Sequence, residues 1–406
     1  MHTHIIGLGP IGSLVANHLR RALPPSHLIT LLHKDETRCQ RAQWENKINI
    51  ECNGTVHTAS GFRHEIAPLT QPIQPGLEDV QARFRASRAS DPPIRSLVVC
   101  LKTQQTLGAL GSLYTRITPE TTIVLLQNGM GTLEVLLERL FKKPQFRPNF
   151  VLGTTTHGAW YKSYLHAVHA GVGDIALGVV PREGDVDYEQ SRPYLSLDDI
   201  APNPLASGYA LPPPDDSSPD ARRARQRASL RETMDTLLAV NALNVSWKSM
   251  DEVLTLVRRK LVVNSVLNPL TTIFECPNGG LFEHHEARGL ARRICIEAST
   301  LFHAQHEQDR RAAQFAGEDE GYKPFPPSLG PEKLYRDCTR MADLTAMNYS
   351  SMLMDWRKGA LHSEVQSLNG YLVHWGKKFG LGMGANRMLC ELVKLKMKIR
   401  PSRELE

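Results

Sequence analysis

The residues best equipped for chemistry stand together on one apolar stretch, Lys260-Leu-Val-Val-Asn264-Ser-Val-Leu-Asn268-Pro269. Positions i, i+4 and i+8 of a helix share a face, drifting about 40° and rising ~6 Å per step. A lysine and two carboxamides therefore form a polar stripe on an otherwise apolar helix. Such a stripe either faces water or lines a site. A solvated stripe draws on Glu, Lys and Gln, and asparagine is a poor mid-helix residue, so the pattern favours a site. Lysine offers positive charge and a proton, and carboxamides both donate and accept hydrogen bonds. Pro269 is expected to disturb the helix at Asn268.

A second constellation opens the chain. Gly7-Leu8-Gly9-Pro10-Ile11-Gly12 follows a strand-like His4-Ile5-Ile6 and leads into an amphipathic Ser13–Leu23. The spacing G-x-G-x-x-G is weak alone, but between a strand and a helix it points to a dinucleotide. The glycines allow a tight turn and close backbone approach, and the helix N-terminus meets the pyrophosphate. Counting about twenty residues beyond Gly12 to the ribose position reaches Leu32, followed by His33 and Lys34 rather than an acid. Lys34, with Arg38 behind it, would pair with a 2′-phosphate and favours NADP, while Asp35 keeps NAD open. Lys102 and Asn128 close two further strand-like runs, the ends at which ligands sit on open α/β sheets. Each residue is also an ordinary loop choice.

These residues need a scaffold, and the alternation of elements supplies one. Strand-like runs at 28–32, 97–101, 122–126, 150–156 and 174–179 alternate with helical stretches ending near 23, 116 and 141. That pattern predicts a Rossmann-type, doubly wound α/β domain over residues 1–180. Within residues 35–94 only a strand near 48–58 is legible. Residues 181–229 carry eight prolines, no Phe or Trp, and the cluster Arg222, Arg223, Arg225 and Arg227. With so little to bury, a disordered linker or insertion is expected there, its basic end forming the solvated start of a helix. Beyond it, helical periodicity over 232–244, 250–268, 286–308, 331–357, 363–379 and 385–398 predicts an all-α domain over 230–406.

Composition bounds the rest. The 406 residues are 41% hydrophobic and 22% charged with a net charge of +6, which excludes wholesale disorder and fibrous architecture. The basic residues are dispersed, which suits a small anionic substrate and argues against nucleic acid. No apolar run approaches the 18 or so residues of a membrane span. Seven scattered cysteines without a C-x-x-C point to a reducing compartment and no disulfide framework. The cytoplasm is the expected location, with the mitochondrion as alternative, since strand-like sequence begins within five residues of Met1. His284-His285 and His303-x-x-His306 lack a ligand cage, so no metal is expected. The helical domain offers an apolar face for a homodimer.

Taken in order, Gly7–Gly12, Lys102, Gln127-Asn128-Gly129-Met130-Gly131, Thr154–Gly158, Lys260–Pro269, Cys276-Pro277-Asn278-Gly279, Ser350–Asp355, Ser363-Glu364 and Asn369-Gly370 resemble the ketopantoate reductase (2-dehydropantoate 2-reductase) family. The resemblance covers both halves but omits residues 35–94, 181–229 and the loop near 310–330. It implies a helical C-terminal domain like that of 6-phosphogluconate dehydrogenase. It also implies NADPH-dependent reduction of 2-dehydropantoate to pantoate, in pantothenate biosynthesis. Carried over by position, Lys260 matches the catalytic lysine, and Asn264, Asn268 and Asn278 match substrate-binding asparagines. Ser351 matches the serine at the substrate carboxylate. Lys102, Asn128 and Glu364 match the cofactor–substrate junction, Glu364 steering or charging the lysine. Hydride arriving at a ketone leaves an alkoxide, and a protonated lysine supplies both the proton and the charge it needs. The stretch 356–362 is longer than the family's spacing and lacks its Arg-Thr-Glu run. Two other readings stand beside this one: a reductase of another 2-oxo acid or ketone, and a non-catalytic NADP-binding protein.

Overall fold

A computed structural model of the chain describes residues 1–67, 91–181, 218–316, 322–360 and 362–399. They divide into two units, Met1–Gln127 with Thr132–Val253, and Asn128–Gly131 with Leu254–Glu406.

In the first unit, the short apolar runs pair as buried strands. These are β1 (His2–Ile6), β2 (Leu28–His33), β3 (Lys47–Cys52), β4 (Thr55–Ser60), β5 (Arg63–Ile66) and β6 (Ser96–Val99). They continue with β7 (Thr122–Leu125), β8 (Asn149–Thr155), β9 (Gly158–Ser163), β10 (His166–Gly171), β11 (Ile175–Val179) and β12 (Val245–Trp247). Eight of them form one sheet in the order β12-β11-β8-β7-β6-β1-β2-β5. All its pairings are parallel except β11 with β8. Strand alternation sends Ile5, Val98, Val124 and Val151 to one face and Ile6, Val99 and Leu125 to the other. The first face takes α1 (Pro10–Ala22); the second takes α3 (Thr103–Ser112) and α4 (Thr132–Arg139) through Leu110 and Leu136. Helix α2 (Glu36–Glu45) lies between β2 and β3 in sequence.

A second sheet, β4-β3-β10-β9, was not foreseen beyond the strand near 48–58, which proves to be the β3–β4 hairpin. Helix α1 packs on both sheets, burying every residue from Gly12 to Asn17. Asn17 fastens it, donating to the carbonyls of Ile48 and His57 at 2.9 Å each.

The expected linker is shorter at its C-terminal end. Residues 182–217 lie outside the described residues, but α5 (Pro219–Leu238) starts within the stretch read as linker. Ser218 caps it by accepting from the Ala221 amide, Pro219 takes the first helical position and Asp220 the first turn. This is a strong start signal that proline-rich composition obscured. Arg225 pairs with Glu120 at 2.6 Å and Glu232 with Arg95 at 2.6 Å, so the basic segment is tied to this unit. The unit extends to Val253 rather than ending near residue 180 because α5 and β12 complete its sheet layer.

The second unit is helical. It holds α6 (Met250–Phe274) from Leu254 onward, α7 (His285–Ala316), α8 (Pro331–Leu344), α9 (Ser351–Arg357), α10 (Asn369–Lys378) and α11 (Gly384–Lys398). The single segment expected over 331–357 breaks because Ser350 caps a new helix, accepting from the Leu353 amide. Pro269 does not end α6. Proline removes the amide that would bond the Ser265 carbonyl, and the Asn369 side chain donates to that carbonyl at 2.9 Å instead. Asn369 also donates to Asn386 Oδ1, and Asn386 donates to Glu297 at 2.7 Å, completing a buried polar chain. Among the described residues no helix is long and apolar enough to cross a membrane.

Asn369 is fully buried, so Asn369→Ala strands two acceptors away from water. The expected loss is about 2–4 kcal/mol of unfolding free energy, measured by urea titration, given roughly 1–3 kcal/mol per unsatisfied group.

Candidate active site

In the first unit the Gly-rich turn is built from three glycines under different constraints. Gly7 has φ +93°, and a Cβ there would lie 2.5 Å from the Cys100 carbonyl carbon and the Leu101 nitrogen. A Cβ on Gly12 would meet the Gly7 oxygen at 2.1 Å. Those two let the turn and the strand close on each other. Gly9 is different: a Cβ there would meet nothing within 4 Å. Its openness falls at the N-cap of α1, which has no side-chain cap and no acid in its first turn. Leu8 and Ile11 flank that opening, and Pro10 occupies N1, where an amide would be unpaired in any case. A dinucleotide pyrophosphate fits this cradle, with the helix dipole favouring its charge.

At the end of β2 the candidate cations separate. Lys34 is exposed. His33 is buried, bonded to Tyr164 and to His64, and burial with neighbouring His64 holds its pKa down to about 4, so it is neutral. Asp35 caps α2 by accepting from the Arg38 amide at 2.8 Å, and Arg38 Nε stands 3.7 Å from the same carboxylate. The Arg38 guanidinium lies 5.4 Å from the Tyr164 ring centroid. Lys102 caps α3 through its backbone, just past β6, and Gln127 donates to the Leu101 carbonyl at 2.7 Å and to the Thr106 hydroxyl.

The second unit gathers the polar stripe. Lys260, Asn264 and Asn268 lie on α6, and the Glu364 carboxylate acts on the Lys260 ammonium. Burial pulls the lysine pKa from 10.5 down to about 8, and Glu364 opposes that fall without cancelling it. Glu364 is itself buried, in a short turn (Glu364–Gln366) capped by Ser363. The Asn128–Gly131 loop docks on the continuation of that turn. Met130 donates its amide to the Ser367 carbonyl at 3.1 Å, and a Cβ on Gly129 would sit 2.7 Å from the same oxygen. Asn128 and Glu364 are thus carried by one packed pair of loops.

Asn264 and Asn268 side chains have no hydrogen-bond partner among the described residues. Asn278 donates to the Thr345 hydroxyl at 2.9 Å, while its Oδ1 is buried without a partner among them. Acceptors left open in this way suit a ligand hydroxyl. Ser351 is exposed at the first position of α9, and its neighbour Ser350 is the buried cap, accepting from Thr271 at 2.8 Å. Sequence reasoning missed the supporting residues Thr271 and Ser367, and it named Ser350 and Asn369 only as parts of family-like motifs, with no role assigned. Of these only Ser350 carried a readable signal, as a serine before a helical run.

Residues 3–182 match the family model described as ketopantoate reductase PanE/ApbA, and residues 252–397 match its C-terminal counterpart. A probable 2-dehydropantoate 2-reductase of Schizosaccharomyces pombe is 23% identical over 397 residues, covering 97% of this chain and 96% of that protein. The 2-dehydropantoate 2-reductase of Saccharomyces cerevisiae is 24% identical over 413 residues, covering 99% and 96%. Among solved structures, a ternary complex of D-mandelate dehydrogenase with NADH and anilino(oxo)acetate superposes with a TM-score of 0.67 at 18% identity, covering 98% of each chain.

The glycines predict separable phenotypes. Gly9→Ala should keep the thermal midpoint within about 2 °C of wild type yet weaken dinucleotide binding more than about tenfold by titration calorimetry. Gly12→Ala should lower the midpoint as well, because its Cβ collides with backbone.

Proposed function

The chain belongs to the ketopantoate reductase family, and from that membership we propose that it reduces 2-dehydropantoate to pantoate with NADPH. The Lys260–Glu364 pair, with two asparagines on the lysine's own helix whose side chains have no hydrogen-bond partner among the described residues, is the observation that carries the reading. When bound, NADPH supplies the hydride for the ketone carbon. Lys260 then gives its proton to the oxygen, where negative charge develops. A pKa of about 8 suits this role. The ammonium is charged at neutral pH, yet it is a stronger acid than an ordinary lysine, and a donor is most effective when its pKa lies near the working pH. Glu364 keeps the proton on Lys260 until substrate arrives.

Asn264, Asn268 and Asn278 would receive the substrate's hydroxyl and carbonyl groups, and Ser351 its carboxylate. Lys102 and Asn128 would hold the junction of cofactor and substrate. For the 2′-phosphate we assign Lys34, with Arg38 adding charge. Asp35 supports this choice over NAD: its carboxylate already accepts from the Arg38 amide and stands beside the Arg38 guanidinium, so it is a poor acceptor for a ribose hydroxyl.

Purified protein should oxidise NADPH when given 2-dehydropantoate, and faster than with other 2-oxo acids. Lys260→Ala should lower kcat by about 10²–10⁴-fold, the usual worth of a positioned acid. Because the acid must be protonated, the rate should fall as pH rises through about 8. Glu364 raises that pKa, so Glu364→Gln should move the alkaline limb of kcat/KM to lower pH. An unmoved limb would separate Glu364 from the lysine's titration.

Cofactor choice gives an independent test. Lys34→Glu should raise KM for NADPH at least about tenfold, leave KM for NADH nearly unchanged and change kcat little, since the phosphate pair acts on binding rather than on chemistry.

A further inference from the structure

Helix α11 has two apolar faces, and only one of them is packed. Leu389, Cys390, Val393 and Met397 face the core of the helical unit. Met388, Leu392, Leu395 and Ile399 form a second stripe that remains 45%, 40%, 51% and 61% exposed. Their spacing of four, three and four residues is the seam of a helix pair. Singly exposed apolar side chains are ordinary, but a continuous stripe over about 11 Å of helix, extended by the C-cap residue Ile399, marks a contact surface. The stripe runs on into a groove walled by Ile273 and Trp356.

The charges beside the stripe say what fits it. One flank is closed: Lys396 donates to Glu275 at 2.7 Å and to the Ile273 carbonyl at 3.2 Å, and lies 4.5 Å from the Trp356 ring centroid. A parallel copy of the helix would need Lys396 to answer Glu391, and Lys396 is already engaged. The other flank carries exposed Glu391 and Lys398, one turn-pair apart. In an antiparallel pair that sets Leu392 against Leu395 and Met388 against Ile399 of a second copy, Glu391 falls beside the copy's Lys398, and the reciprocal pair forms by symmetry.

We propose that the α11 stripe is a homodimer surface, two copies of this chain packing α11 antiparallel about a two-fold axis. One helix stripe with its groove wall is small against the roughly 800 Å² per partner of a tight complex, so the association is expected to be reversible and micromolar.

Sedimentation velocity of the full chain over about 1–100 µM should show a monomer–dimer equilibrium. Leu395→Lys should abolish it with an unchanged thermal midpoint, because the site is on the surface. Glu391→Lys and Lys398→Glu should each weaken self-association at least about tenfold by placing like charges together. Mixed in equal amounts, those two variants should regain wild-type association, since each then meets its opposite. A wild type that stays monomeric over this range overturns the proposal, and so does a dimer that survives Leu395→Lys. A mixture that fails to recover association overturns the antiparallel register and with it the pairing.

Discussion

A proline in the middle of α6 sets the terms for the helical unit. Pro269 lacks the amide that would satisfy the Ser265 carbonyl, and a buried carbonyl left open costs about 1–3 kcal/mol. The donor comes from Asn369, the first residue of α10, and the chain continues through Asn386 to Glu297, which also accepts from the Ala385 and Asn386 amides at the start of α11. Three helices are thereby locked to the helix that carries Lys260. The freed carbonyl at Ser265 lies about one and a half turns beyond the lysine on α6, and its repair comes from the segment that follows Glu364. A hydrophobic contact could hold the same elements together, but it would tolerate slippage; a chain of directed bonds does not.

That rigidity matters because the two charged groups it aligns are costly alone. Burying an ammonium without a counter-charge drives it toward the neutral amine, and burying a carboxylate alone does the reverse. Here the two opposing effects on Lys260 are unequal. Burial wins, Glu364 recovers part of the loss, and the pKa comes to rest at about 8. Looser packing would let water in and return the lysine toward 10.5, a poor acid at neutral pH. Loss of the carboxylate would carry it further down, toward an amine with no proton to give. The value thus depends on both burial and the nearby carboxylate.

Much of this was legible from the chain because it rests on short-range periodicity. Apolar runs such as Leu97–Leu101 and Thr122–Leu126 announce strands buried on both faces, and their ends locate Lys102 and Asn128. Of the second sheet only the β3–β4 hairpin was legible; β9 was hidden because it is largely exposed and polar, reading Gly-Ala-Trp-Tyr-Lys-Ser with neither a clean alternation nor an apolar run. β12 is three residues long, too short for any period to show. The basic end at residues 222–227 reads as the start of a helix, but the boundary of α5 was blurred by the opposite error, since proline-rich composition outweighed Ser218-Pro219-Asp220, where the proline is a helix starter rather than a breaker.

The site divides along the same line. The stripe Lys260–Asn264–Asn268 is visible because i+4 spacing is a local property, and so is the Gly7–Gly12 turn. What sequence cannot display is which partner an already identified group has taken. Asp35 stands near the place where an NAD-binding acid is expected, and spacing alone leaves it available; in the fold it is the cap of α2. Ser350 and Ser351 are adjacent and chemically alike, yet one is buried as a cap and held by Thr271 while the other is exposed. Asn278 has one end bonded to Thr345 and the other unanswered. A residue's chemistry can be read from its type and spacing, but its availability depends on the hydrogen bonds it has already made, and those belong to tertiary structure. Asp35, Ser350 and the amide end of Asn278 are spent in that sense, whereas Ser351 is exposed, and the Asn264 and Asn268 side chains and the Asn278 oxygen have no partner among the described residues.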